Sequence, residues 1–381
     1  MISRLMVLLA ICAGVFSAPA VAGEVDAILS KALAGKKAPA AGLLIIQDYG
    51  VVDQAVSGVR SLSDLTPVSS NDVWNIGSDG KAMTAAMIAR LVDRGVLSWD
   101  STISGVLPDM ASDARTEYRA ITLLQLLTHT SGLPANVRDE QALNSLFYDE
   151  SSASLSERRR AYIARALQDA PEGRAGRFSY SNTGFLIAAY MAETASKRTY
   201  ESLMRDEVFG PLGMTSAGFG RPPIGQPAGH KDGRIAVPRD VNPDFFAPSG
   251  NIYLSLGDWA RFCIDQLRGA NGKGALLKPQ TYSVTQSPPP GAPVSMGWFV
   301  RNSFAGLPGP IYYHEGSDGA WFAVVALSPT SGSGVLAVTN GGKDMGGRAL
   351  ALSAAADGAR SLANKKSARA IVPWLTRHGV A

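Results

Sequence analysis

The sequence predicts a mixed α/β (α+β) fold: an antiparallel sheet built from both chain ends and flanked by helices, with an inserted, mostly helical domain. Two observations predict it. Strand pairs at hairpin-like spacing occur near the start of the chain and again in its C-terminal third, whereas helical patterns dominate the middle. The simplest arrangement places the first hairpin and the C-terminal strands in one sheet. The predicted boundaries are a split sheet domain over 23–77 and 248–381 and a helical domain over 78–247.

The first 22 residues have the pattern of a secretion signal. Arg4 provides a positive start, residues 5–16 form a short apolar run, and Ala20-Val21-Ala22 is an A-x-A cleavage site. The apolar run is too short to span a bilayer. We therefore expect a periplasmic or secreted protein, cleaved near Ala22, with no stable membrane anchor.

The elements that follow are predicted in order from their apolar patterns and breakers. A helix over 24–34 ends at Gly35, and strands over 42–47 and 51–59 form the first hairpin around a short turn. After Lys81 the chain is alanine-rich and apolar on nearly every side, which indicates a buried helix. Further helices are predicted over 121–127, 157–170, 185–195, 200–208, 256–267 and 348–362, and further strands over 295–301, 311–314, 321–327 and 334–340.

The net charge of +4 is mild for 381 residues and gives little sign of a nucleic-acid partner. The basic run Arg158-Arg159-Arg160 has no interleaved aromatic residues, so it is interpreted as a solvated helix face rather than a nucleic-acid or membrane patch. We expect no nucleic-acid partner.

Cysteine and histidine usage argues against a metal or cofactor. Cys12 lies in the predicted signal, so Cys263 alone remains, and one cysteine can form no intrachain disulfide. None of the scattered histidines belongs to an H-E-x-x-H motif. They are His129, His230, His314 and His378.

The first candidate catalytic pair is Ser78 and Lys81. Three residues apart at the start of the buried helix, they project from the same helical face. A serine is a poor nucleophile until a base takes its proton, and desolvation can lower the pKa of a lysine enough for that role. A chance match of two common residues is the alternative interpretation.

A second candidate stretch holds Tyr180 and Asn182 on a loop before the helix over 185–195. A phenol held near an ammonium group has a lowered pKa and can relay a proton, and a carboxamide can fix a lysine or a substrate amide. The alternative is a core tyrosine followed by a helix cap.

The third stretch runs from His314 to Gly319, where one predicted strand turns into the next. Gly316 would let a substrate approach the strand edge, and the N–H groups after it could hold an oxyanion. A glycine-rich hairpin turn is the alternative.

Together, Ser-x-x-Lys, Tyr-x-Asn and His-x-Gly in this order resemble the serine β-lactamase and penicillin-binding-protein-like hydrolases. The likeness is closest to the branch that holds class C β-lactamases, D-alanyl-D-alanine carboxypeptidases and carboxylesterases, and it spans about residues 40 to 360. Other stretches share it: Leu126 to Leu133, Pro211 to Met214, Pro248 to Asn251 and Val338 to Asn340. The resemblance implies a β-lactamase/transpeptidase-like fold.

The resemblance also implies roles. Ser78 matches the acylated nucleophile, Lys81 the lysine that helps deprotonate it, and Tyr180 the tyrosine that passes the proton to the leaving group. Asn182 matches the amide that braces lysine and substrate. The backbone N–H groups of Ser78 and Ser317 correspond to the oxyanion hole.

The substrate-facing strand departs from the class C pattern. His314-Glu315-Gly316 stands where class C enzymes usually carry Lys-Thr-Gly, so an imidazole replaces a permanent cation and a carboxylate is added. Strand alternation should aim Glu315 away from the face of His314. Arg348, eight residues past Asn340, is the expected carboxylate-binding arginine. His314, Gly316, Ser317 and Arg348 are therefore predicted to bind substrate.

The predicted function is an exported serine hydrolase that forms an acyl-enzyme on Ser78 and takes a small ester, peptide or β-lactam. A D-alanyl peptidase or penicillin-binding protein is one alternative, and a non-catalytic binding or scaffold protein of the same fold is another. An α/β-hydrolase is excluded, because no serine has glycine at both the −2 and +2 positions.

Overall fold

The computed structural model describes residues 23–148 and 152–377. The predicted secretion signal over 1–22 and His378 lie outside these ranges. The helices are α1 (Glu24–Leu33), α2 (Lys81–Asp93), α3 (Ile103–Val106), α4 (Pro108–Asp113), α5 (Thr116–Arg119), α6 (Leu123–Leu127), α7 (Glu140–Phe147), α8 (Leu155–Ala166), α9 (Asn182–Ser196), α10 (Tyr200–Met204), α11 (Ala247–Gly250), α12 (Leu256–Gly269), α13 (Pro279–Gln286) and α14 (Gly347–Arg377). The strands are β1 (Ala40–Gln47), β2 (Gly50–Gly58), β3 (Val73–Asn75), β4 (Gly218–Phe219), β5 (His230–Lys231), β6 (Arg234–Ile235), β7 (Ile252–Ser255), β8 (Phe299–Phe304), β9 (Leu307–Gly316), β10 (Phe322–Ser328) and β11 (Ser333–Thr339).

The main sheet has six strands in the order β2-β1-β11-β10-β9-β8. Each neighbouring pair is antiparallel. Within it, β1 from the start of the chain pairs with β11 from the end, with Leu44 opposite Leu336. The prediction of one antiparallel sheet made by both chain ends is confirmed.

Helices cover both faces of this sheet. Leu44 and Ile46 of β1 pack in the hydrophobic cluster that contains α2 and the inserted helices. Leu43 and Ile45, which point the other way, pack in a second cluster with α1 and α14. Because neither face meets water, β1 and β11 are buried along their whole length, which explains their unbroken apolar sequences.

The helical region leaves and rejoins the sheet layer at a second, three-stranded sheet. There β3 pairs antiparallel with β7, and β4 adds to the other side of β7. Helices α2 to α11 lie between β3 and β7 in the chain. One hydrophobic cluster runs from the main sheet into these helices. The predicted domain boundaries at 77/78 and 247/248 therefore stay a prediction.

Three expectations from the sequence differ from the structure. The strand predicted from Ser295 begins at Phe299, since Gly297 has φ +84° and lies so close to α2 that a Cβ there would sit 2.5 Å from the Ala82 nitrogen. The last helix extends to Arg377 rather than ending at 362. The solvated face predicted for the basic run is wrong for Arg159, which is fully buried.

Arg159 is buried because it has partners that the linear sequence hides. Its guanidinium donates to the carboxylates of Glu193 and Glu201 at 3.0 and 3.1 Å, and to the carbonyl of Phe245 at 2.8 Å. A buried cation is tolerated when its charge and donors are matched in this way. Within residues 23–148 and 152–377, no helix is long and apolar enough to cross a membrane.

Candidate active site

The nucleophile candidate lies in a tight turn between β3 and α2. Gly77–Gly80 form a single 3₁₀ turn, and Gly77 has φ +50°, a left-handed conformation that glycine adopts without strain. The Asn75 side chain accepts from the Gly77 N–H at 2.8 Å and fixes the entry to the turn. Ser78 is thereby left partly exposed at the mouth of an otherwise buried helix.

Lys81 is fully buried beneath Ser78. Its Nζ lies 3.0 Å from Ser78 Oγ and 2.9 Å from Asn182 Oδ1, and it also donates to the carbonyl oxygen of Ser249. Burial holds the pKa of Lys81 well below its usual value, and the nearby Asp79 carboxylate opposes that shift. The predicted pairing of Ser78 with a desolvated lysine is therefore present in the structure.

Asn182 is the first residue of α9 and connects three elements. Its Oδ1 accepts from Lys81 and from Ser249 Oγ, both at 2.9 Å, while its Nδ2 donates to Asn136 at 3.1 Å. A carboxamide oxygen that already accepts two hydrogen bonds holds the lysine amine in a fixed place. The preceding Ser181 caps the helix by accepting from the Gly184 N–H.

Tyr180 lies on the loop before α9, with its ring stacked on His129 at 4.3 Å between centroids. Lys81 Nζ is 5.0 Å from the centre of the Tyr180 ring. The expectation of a lowered pKa for this phenol is wrong. Burial raises the pKa of Tyr180, and its hydrogen bond with Ser78 only partly opposes the shift. The nearby Asp79 carboxylate raises the pKa of this phenol further.

The oxyanion candidates lie where β9 meets the nucleophile turn. A Cβ on Gly316 would sit 1.9 Å from the Ile76 carbonyl oxygen, and one on Gly77 would sit 2.2 Å from the Ser317 nitrogen. Two glycines thus allow the backbones of turn and strand to touch. Across the part of the chain that the structure describes, the N–H groups of Ser78 and Ser317 donate to no protein acceptor. Free N–H groups of this kind can receive a developing oxyanion.

A substitution of Gly316 tests this close approach. We expect Gly316→Ala to push β9 away from the turn, lower kcat/KM by at least about 100-fold through the damaged oxyanion site, and lower the unfolding free energy by about 1–3 kcal/mol. Steady-state kinetics and thermal unfolding measure both. Gly257→Ala is the matched control, because the Cβ it adds meets nothing closer than 3.9 Å. An active, stable Gly316→Ala protein would contradict the geometry.

A pocket of about 450 Å³ opens over these groups. Its lining residues come from the nucleophile turn, the Tyr180 loop and strands β8 to β10: Ser78, Tyr180, Phe299, Arg301, Tyr313, His314, Glu315, Gly316, Ser317 and Phe322. The structure therefore brings Ser78, Lys81, Tyr180, Asn182, His314, Gly316 and Ser317 together at one site.

Arg348, in contrast, is bound elsewhere. Its guanidinium forms a two-point ion pair with Glu315, with N–O distances of 2.7 and 3.2 Å, and it is absent from the pocket lining. Glu315 also accepts from the Tyr313 hydroxyl at 2.7 Å, so its carboxylate does face away from His314 as expected.

The cation that does line the pocket is Arg301, which the sequence did not single out. Its guanidinium stacks on the Tyr313 ring at 3.4 Å and forms no hydrogen bond or ion pair with any residue that the structure describes. Only the pairing of β8 with β9 brings it to the site, so no local sequence pattern could have identified it.

Two more polar partners were also missed. Ser249, on α11, contacts both Lys81 and Asn182, and Asp79, next to the nucleophile, contacts His314. The stretch Pro248 to Asn251 was noted only as part of the family likeness. Nothing in the sequence indicated a role for Asp79 apart from its position next to Ser78.

The family model described as Beta-lactamase matches residues 25–360. Penicillin-binding protein 4 of Amycolatopsis lactamdurans is 26% identical over 331 residues, which cover 80% of this chain and 81% of that protein. Protein flp of Staphylococcus aureus strain MW2 is 22% identical over 330 residues, which cover 83% of this chain but 62% of that protein.

A solved structure agrees at the level of the fold. The octameric penicillin-binding protein homologue from Pyrococcus abyssi has a TM-score of 0.70 and 22% identity, covering 87% of this chain and 75% of that chain. At this identity, the similarity establishes a shared fold and nothing finer.

Proposed function

The chain belongs to the beta-lactamase family, and we propose that it is a serine hydrolase that forms an acyl-enzyme on Ser78 and hydrolyses an ester or amide. One observation carries the proposal: a fully buried lysine whose pKa is held low has its amine 3.0 Å from the Ser78 hydroxyl. A neutral amine at that distance can accept the serine proton.

Side chains and backbone N–H groups of the site supply each step of acylation. Lys81 takes the proton from Ser78 as Oγ attacks the carbonyl carbon, and the backbone N–H groups of Ser78 and Ser317 receive the oxyanion. When the bond to the leaving group breaks, the Tyr180 hydroxyl gives that group a proton and is resupplied from the Lys81 ammonium. Water attacks the ester on Ser78 in the second half, with the same groups moving protons in reverse.

The raised pKa of Tyr180 supports Lys81 as the resting base. A phenol held in its protonated form can pass a proton on, but it is not available as a resting phenolate. The lysine, whose pKa is shifted the other way, supplies the free amine. Tyr180 is therefore proposed as a relay and not as the first proton acceptor.

The acyl donor is proposed to be a small ester, a peptide or a β-lactam. Similarity to a protein named penicillin-binding protein 4 favours a D-alanyl peptide or β-lactam as the alternative to a simple ester. The unpaired Arg301 favours the same alternative, because such donors carry a carboxylate that a guanidinium can bind at two points.

Four donors separate these possibilities: a fluorescent penicillin, a chromogenic cephalosporin, p-nitrophenyl butyrate and a D-Ala-D-Ala peptide. Product release and intact mass are followed together. Turnover with a transient adduct supports the hydrolase, and a permanent penicillin adduct indicates a penicillin-trapped peptidase. A protein that turns over none of them and forms no adduct would be a binding or scaffold protein of the same fold.

Arg301 should discriminate between donors. We expect Arg301→Gln to raise KM about tenfold for a carboxylate-bearing donor, the loss of one charge-assisted contact, and to change KM for p-nitrophenyl butyrate little. Arg360→Gln is the matched control, since Arg360 is exposed, pairs with Asp357 and lies outside the pocket lining. If the two substitutions raised KM for the carboxylate-bearing donor equally, Arg301 would not be a substrate-binding residue.

Export is proposed on the N-terminal pattern alone. Fractionation of cells that express the full-length chain, with N-terminal sequencing of the mature protein, tests for cleavage near Ala22. Recovery of the uncleaved chain in the cytoplasm would contradict it.

A further inference from the structure

A buried carboxylate lies directly behind the nucleophile. Asp79 is 1% exposed, and its Oδ1 lies 3.2 Å from His314 Nδ1, while its Oδ2 has no hydrogen-bond partner. An ionisable group is rarely buried this completely without a structural or functional reason. The reaction steps described above give it no role.

The partner of Asp79 is held in a defined orientation. His314 Nδ1 is 2.8 Å from the Glu315 carbonyl oxygen as well as 3.2 Å from Asp79. The Glu315 carbonyl oxygen can only accept, which assigns the proton to Nδ1. The other ring nitrogen, Nε2, is buried and has no partner, although His314 lines the same pocket as Ser78.

This contact lies at the junction that the oxyanion site requires. The close approach of Gly77 to Ser317 and of Gly316 to Ile76 joins the turn to β9 by packing alone. Among the described residues, no backbone hydrogen bond crosses from the turn to β9 at this place. The Asp79–His314 hydrogen bond supplies a polar connection between the two backbones that carry the candidate oxyanion donors.

We propose that Asp79 is a positioning residue, which ties the nucleophile turn to β9 through His314 and fixes the orientation of the imidazole beside the cleft. The proposal rests on the serine hydrolase function proposed above. Asp79 reaches substrate only through other groups: it holds His314 in place, and its charge acts on the Lys81 amine.

The electrostatic part of this role follows from the groups around the carboxylate. Burial raises the pKa of Asp79, and the hydrogen bond from His314 opposes the shift. Ionised Asp79 in turn raises the pKa of Lys81 against the effect of burial. Besides Lys81, the groups that shift the pKa of Asp79 are His314 and Glu315. The charges of Asp79 and Lys81 in turn shift the pKa values of their other neighbours, His129, Tyr180, Cys263 and Tyr313.

Asp79→Asn is the central test. It keeps the shape and an acceptor oxygen but removes the charge that stabilises protonated Lys81. We therefore expect the acid limb of the kcat/KM profile to move to lower pH by about half a unit or more, with kcat falling at least about tenfold as the junction loosens. Asp79→Glu should restore the position of the limb but not kcat, because its longer side chain displaces His314.

Asp265→Asn is the matched control. Asp265 is another buried aspartate, bonded to the Tyr282 hydroxyl on α13, and its replacement should leave the pH profile unchanged. An Asp79→Asn profile that is lowered evenly, with its acid limb in the wild-type position, would overturn the electrostatic role.

Thermal unfolding separates positioning from simple stabilisation. A carboxyl whose pKa is raised by folding lowers stability as pH rises from its ordinary value through the raised one, since the folded state must then ionise a buried group. At pH 7 the wild type carries that penalty and Asp79→Asn does not. We expect the Tm of Asp79→Asn to be no lower than that of the wild type, and a large fall would make Asp79 a structural residue.

Nitrogen NMR of His314 tests the inference even if the protein hydrolyses nothing. With signals assigned by His314→Gln, the neutral ring should show a protonated Nδ1 and an unprotonated Nε2, and the Nδ1 proton should move upfield in Asp79→Asn. A protonated Nε2, or a spectrum unchanged by Asp79→Asn, overturns the proposal. Failure of all four acyl donors, in contrast, overturns the proposed function and leaves this measurement intact.

Discussion

Replacement of Ser78 by alanine is expected to lower kcat/KM by at least about 10⁴-fold for every donor that the wild type turns over. Alanine keeps the Cβ and the turn but removes the Oγ that we propose forms the acyl bond. Lys81 retains its other two acceptors, Asn182 and Ser249. The Tm should therefore change by no more than about 2 °C.

Ser283→Ala is the control for the loss of a hydroxyl, because Ser283 is exposed on α13 and lines none of the pocket. Steady-state kinetics with the best of the four donors and a thermal melt are sufficient. If Ser78→Ala retains activity within tenfold of the wild type, the nucleophile lies elsewhere and the proposed mechanism is wrong.

Replacement of Lys81 by methionine is expected to lower the rate of acylation by at least about 10³-fold, because it removes the proton acceptor and leaves the apolar stem. Single-turnover kinetics measure acylation directly. Lys273→Met, at an exposed position, is the matched control. Wild-type acylation should also fall as pH falls, since a protonated Lys81 accepts no proton.

Although Lys81→Met should acylate slowly, we expect it to lose no stability. Burial lowers the pKa of Lys81 in the folded state, so the unfolded chain binds more protons between that value and 10.5, and wild-type stability rises with pH across this window. Methionine has no ionisable group, so Lys81→Met lacks the free-energy cost of burying the lysine amine. We expect Lys81→Met to be at least as stable as the wild type at pH 7, and an unstable variant with fast acylation would contradict both roles assigned to Lys81.

Much of the fold followed from patterns that are local in sequence. Apolar stretches predicted strands over 42–47 and 334–340 in a sheet flanked by helices, and the structure places helices on each side of that sheet. The spacing of Ser78 and Lys81 sets their common direction whatever surrounds them, because it depends only on helix geometry. Order along the chain and the family likeness then indicated the loop with Tyr180 and the strand with His314.

The remaining features depend on contacts that no short stretch encodes. Arg159 looked like a surface residue until folding placed Glu193 and Glu201 around it. Arg348 was expected at the substrate, but the Glu315 carboxylate binds it. The pKa of Tyr180 was expected to fall beside a cation, yet burial raises it, because desolvation acts on the phenol and the lysine together.

The central claim is that Ser78 becomes acylated, and peptide mapping of a rapidly quenched reaction tests it most directly. The protein is mixed with its fastest donor, quenched in acid at successive times, digested and analysed by mass spectrometry. We predict an acyl group on the peptide that contains Ser78, rising and then falling during turnover, and absent in Ser78→Ala. Turnover with no adduct on that peptide, or with an adduct on another residue, would contradict it.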